Sequence, residues 1–134
     1  MQIYNLTDPF GTFPKDDHGH TVTGVIAAAD NRSGVNGPAS RFLENNLELY
    51  FGSSSSHSVL TALENAATME IDVINISVGY EGLDTEEGRQ FKADYLAFLR
   101  SHPNMLFVVA VDNQPVPVDS LKTFPDGVQL PNVI

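Results

Sequence analysis

The sequence predicts an α/β fold, a parallel sheet with helices on both faces, containing about three core strands and three helices. Two runs carry this reading. Residues 72–78 and 105–111 are β-branched and nearly continuous in apolar character, as strands covered on both faces are. The segments before and between them repeat their apolar residues at helical spacing. Strand, helix, strand, helix, strand in that order requires parallel neighbours joined by right-handed crossovers.

Residues 1–17 carry Pro9, Gly11 and Pro14 and show no apolar period, so they read as an irregular lead-in loop. From 19 to 29, Val22, Val25, Ile26 and three alanines suit a short, tightly packed helix that stops at Asp30-Asn31. Residues 31–38 are dense in turn formers and read as a long loop. The first strand is 47–51. The serines from Ser53 to Ser56 end it and offer N-cap side chains to a helix over about 58–69, with Val59, Leu60, Leu63, Ala66 and Ala67 on one side. After the strand at 72–78, Asp84, Glu86 and Glu87 place acids in the first turn of another helix, where they meet the positive end of its dipole. Phe91, Tyr95, Phe98 and Leu99 form its apolar stripe, and His102-Pro103 stops it. Beyond the strand at 105–111, five Pro and Gly residues keep the tail 115–134 irregular. No internal repeat occurs, and 134 residues make one domain.

A chain of this length buries roughly two-thirds of its unfolded surface, enough for a core without staples. Zero cysteines exclude a disulfide scaffold, thiol catalysis and thiolate metal sites. The net charge of −10, from 17 acids against 7 bases, argues against nucleic acid as a partner, because phosphate binding needs clustered Lys and Arg. No apolar run reaches the roughly 20 residues that span a bilayer, and the N-terminus lacks the basic start and apolar stretch of a signal peptide. The expectation is a protein without membrane contact, its compartment undetermined.

Ligands of parallel sheets gather beyond the carboxyl ends of the strands. Ser77-Val78-Gly79 and Asp112-Asn113-Gln114 stand there, and His18 opens a helix within Asp17-His18-Gly19-His20-Thr21. On local sequence alone, His18 also reads as a solvated loop residue, Asn113 as a turn former, the serine run as a capping loop, and the acids from Glu81 to Glu87 as a solvated helix start. No HExxH pair, phosphate loop or dinucleotide fingerprint is present.

Taken together, the blocks resemble the subtilisin-like serine peptidase family. His18-Gly19-His20-Thr21-Val22-Thr23-Gly24 is similar to the family's histidine block HGTHVAG, and 31–37 to the Asn-Ser-Gly-Val loop after it. Residues 72–79, DVINISVG, resemble DVINMSLG; 108–113 resemble the strand ending in the oxyanion asparagine; and 130–134 resemble YPSVI. The resemblance implies a partial subtilisin-like domain over 1–134, in which His18 is the triad histidine and Asn113 donates to the oxyanion. It also implies that Ser77, Val78 and Gly79 line the pocket for the residue before the scissile bond. The segment around Gly52 and Ser53 would pair with substrate backbone on the other side. Asn31, with the carbonyls of Ala29, Ser33 and Val35, is the candidate for weak calcium binding. The implied partners are a polypeptide substrate or the remaining peptidase segments, and such enzymes are often secreted.

Only one triad member finds a counterpart. None of Asp8, Asp16 and Asp17 ends a β-branched strand, and Gly-Thr-Ser, the core of the family's nucleophile turn, does not occur. The expectation is therefore an inactive segment of a serine endopeptidase. The alternatives are a non-catalytic pseudopeptidase that binds extended peptides by strand addition, or a small flavodoxin-like binding domain.

Overall fold

The structure is a computed structural model that describes residues 2–6, 17–42, 48–52, 55–56, 58–111, 113, 115, 117 and 123–134. The chain divides into two compact units, Met1–Ser53 and Ser54–Ile134. Both are α/β in character, and their elements follow the predicted order.

The first unit holds β1 (Gln2–Asn5), α1 (Asp17–Ala27), a 3₁₀ turn (Pro38–Phe42) and β2 (Glu48–Phe51). β1 runs parallel to β2, with Gln2 opposite Glu48 and Asn5 opposite Phe51. The lead-in is therefore not irregular throughout. Four residues are too few to show a period, and the strand owes its ladder to a partner more than forty positions away. The helix expected at 19–29 forms as α1, but it is not tightly packed: Val25 is 62% and Ile26 37% exposed. Gly37 seals its C-terminal end. The Gly37 N–H donates to the Ala28 carbonyl at 2.9 Å, and a Cβ on Gly37 would lie 2.5 Å from the Ile26 carbonyl oxygen. Only a residue without a side chain fits there.

The second unit comprises α2 (Val59–Thr68), β3 (Val73–Ile76), α3 (Glu86–Ser101) and β4 (Leu106–Val109). β3 and β4 pair in parallel with Val73 opposite Leu106 and Ile76 opposite Val109. Among the described residues each unit thus holds one parallel two-stranded sheet, in keeping with the predicted α/β class. The predicted stripe on α3 is confirmed: Phe91, Tyr95, Phe98 and Leu99 are all buried, and they join Val59, Leu63, Ile76, Tyr80, Met105, Phe107 and Phe124 in one core. Tyr80, Phe91, Tyr95 and Phe124 meet edge to face at 5.0–6.3 Å, the arrangement that sets ring edges against negative ring faces.

Capping differs between the two helices. Thr85 accepts from the Gly88 N–H at the start of α3, which satisfies one orphan donor as an N-cap should. At α2 the Ser58 side chain supplies no such cap. The Ser55 carbonyl instead receives the N–H groups of Ser58 and Val59. The tail is also more ordered than its prolines suggest. Tyr80 and Phe124 exchange backbone hydrogen bonds as an antiparallel bridge, and 132–134 runs parallel beside β4. Buried Asn132 locks this third row, its Nδ2 donating to the Leu99 and His102 carbonyls at 2.9 Å each. Among the described residues, no helix is long and apolar enough to cross a membrane.

Candidate active site

The register of β3 and β4 places their following residues side by side. Ser77-Val78-Gly79 leaves the carboxyl end of β3, and Ala110, Val111 and Asn113 follow the carboxyl end of β4. The Ala110 N–H donates to the Ile76 carbonyl at 3.0 Å, so pairing persists to the point where both segments emerge. Asn113 is exposed, as an amide offered to a ligand must be. Asp112 lies outside the described residues.

Beyond β3, the Asn75 amide donates to Ser77 Oγ at 2.8 Å. Val78 is half-buried against the core, whereas Gly79 is exposed. Thr123 faces Gly79, and a Cβ there would sit 3.3 Å from Thr123 Cβ. The Thr123 hydroxyl donates to the Asp126 carboxylate. The Tyr80–Phe124 bridge fixes this opposing strand one residue further on. Sequence reasoning missed Thr123. The signal available was Pro125-Asp126-Gly127, a turn sequence that can return the chain to the sheet.

His18 belongs to the first unit, in the opening turn of α1, with its side chain exposed. Gly52, directly after β2, is exposed as well, and Ser53 lies outside the described residues. The groove between α2 and α3, about 750 Å³ and lined by Leu60, Glu64, Asp94, Phe98 and His102 among others, contains none of the candidate residues.

The loop after α1 carries the calcium candidate Asn31. Asn31 Oδ1 accepts the Ser33 N–H at 3.0 Å and the Ala29 carbonyl accepts the Asn31 N–H at 2.9 Å, so both oxygens serve the turn. Asp30 Oδ1 accepts from Asn36. Among the described residues no three His, Asp or Glu side chains gather to hold a cation, and calcium takes six to eight oxygens.

In the second unit, Ser77-Val78-Gly79 and Asn113 both come after the carboxyl ends of paired parallel strands. A model of the subtilase family matches residues 6–134. No curated protein and no solved structure gives a significant match.

Proposed function

The chain belongs to the subtilase family, and we propose that it is the central segment of a subtilisin-like serine endopeptidase, contributing the general base, the oxyanion amide and one wall of the substrate cleft. The observation that supports this reading is the β3–β4 register: the two strands pair in parallel, and Ser77-Val78-Gly79 follows one while Asn113 comes after the other. In this reading an extended polypeptide lies along Ser77-Val78-Gly79, with Thr123 across from Gly79 limiting the side chain accepted there. By the family's pattern, Gly52 and Ser53 also pair with substrate backbone.

The chemistry is acyl transfer. A serine hydroxyl attacks the scissile carbonyl while His18 takes its proton, and the imidazolium then returns that proton to the leaving amine. The Asn113 side-chain amide donates to the oxygen that becomes negative in the tetrahedral intermediate, where charge develops and a fixed donor acts most strongly. The serine and the aspartate that orients His18 come from peptidase segments outside these 134 residues. Alone, the chain has no nucleophile turn, so no acyl-enzyme forms.

The test is co-expression with segments carrying an aspartate-bearing strand and a Gly-Thr-Ser turn, read out with a fluorophosphonate probe and a peptide substrate. Reconstituted activity should fall sharply on His18→Ala and by about 10²–10³-fold on Asn113→Ala, the loss such a donor shows in enzymes of this family. Probe labelling of the unassisted chain would overturn the assignment. Peptide binding without turnover in the reconstituted assembly would favour the pseudopeptidase.

A further inference from the structure

We propose that Asn36-Gly37 is a deamidation site held shut by the folded loop after α1, so that local opening licenses its conversion to aspartate or isoaspartate. The inference is independent of the peptidase reading.

Asn36 is the only asparagine in the chain followed by glycine. Deamidation begins when the next residue's backbone nitrogen attacks the asparagine Cγ, and glycine, lacking a side chain, hinders that approach least. The Gly37 nitrogen forms a bond to Asn36 Cγ, the Cγ–Nδ2 bond breaks, and the Gly37 proton leaves with the amide nitrogen as ammonia. Solvent water then opens the cyclic imide on either side.

The fold restrains both reacting groups. The Gly37 N–H is committed to the Ala28 carbonyl at 2.9 Å, and Gly37 is buried, pressed on the backbone of Ile26, Ala27 and Ala28. Asn36 Nδ2 donates to Asp30 Oδ1 at 2.9 Å, which holds the amide away from its own backbone. The asparagine is exposed, so water reaches it. Opening must break both contacts, and hydrogen bonds of ordinary net strength slow the folded reaction on the order of tenfold. Once formed, the product carboxylate opposes Asp30 where the amide had donated to it. Like charges at that spacing repel, so the loop does not close again in its original form.

The test incubates the full chain at mildly alkaline pH in buffer and in urea, following ammonia release and the mass gain at residue 36 by peptide mapping. The folded chain should react on the order of tenfold more slowly than the denatured one, with the Gly37 amide protected from hydrogen exchange. Asp30→Ala should accelerate the folded reaction, and Asn36→Gln should abolish it. Equal rates in the two conditions, an unprotected Gly37 amide, or earlier modification of another asparagine in the folded chain would overturn the proposal.

Discussion

The two units each hold candidate residues, on foundations of different kinds. In the second, α3 sets four large side chains over β3 and β4, and the segments ending in Gly79 and Asn113 spring from that core. In the first, Leu6 and Gly37 are buried, and α1 holds His18 while exposing Val25 and Ile26. A helix with buried apolar residues draws its stability from packing. At the end of α1 the backbone closes tightly on Gly37. The segments that follow β3 and β4 start from a side-chain core, and the end of α1 is sealed by a backbone contact.

The largest effect should come from the core of the second unit. Phe107 is fully buried, and Phe107→Ala should cost about 3–5 kcal/mol in urea unfolding. Asn132→Ala should follow at about 2–3 kcal/mol, because it deletes two bonds and orphans the Leu99 and His102 carbonyls. In the first unit the sensitive point is Gly37: a methyl group there meets immovable backbone, and Gly37→Ala should cost about 2 kcal/mol, read as lost helicity in α1.

A smaller effect, opposite in sign, belongs to the buried phenols. Among the described residues the Tyr80 and Tyr95 hydroxyls have no hydrogen-bond partner, and Tyr95→Phe should raise stability by about 1 kcal/mol. Burial lifts Tyr80 from 10.0 to about 12 and raises Tyr95 also, with Tyr80 nearby adding to the latter. Between those values the unfolded chain binds fewer protons than the folded one, so stability declines as pH rises. The contribution is complete below about pH 10 and disappears as pH climbs through about 12. Phenolate absorbance should show these two tyrosines ionising only as the chain unfolds. Last, Val25→Ser on the exposed face of α1 should change stability by no more than about 0.5 kcal/mol. A cost like that of Phe107→Ala would erase the contrast between the units.

The legible parts of the fold were those with a long enough local signal. The stripe Phe91, Tyr95, Phe98 and Leu99 announces α3 because four residues at helical spacing leave one burial face. The β-branched runs announce β3 and β4. His18, Asn113 and Ser77-Val78-Gly79 are candidates drawn from ordered motifs, and the family match spans the stretch that holds them.

What the sequence determined by itself is therefore local: which segments are helix or strand, which helix face is apolar, and which blocks resemble the family's motifs. Tertiary structure alone decided the rest. It made a strand of Gln2–Asn5 and paired β1 with β2 and β3 with β4 in parallel. It brought Thr123 to Gly79 and laid 132–134 beside β4 under the Asn132 amide. Each of these depends on partners distant in the chain. A strand's hydrogen bonds and a pocket's opposing wall come from whichever segment folding brings near, and residue type alone cannot specify that segment.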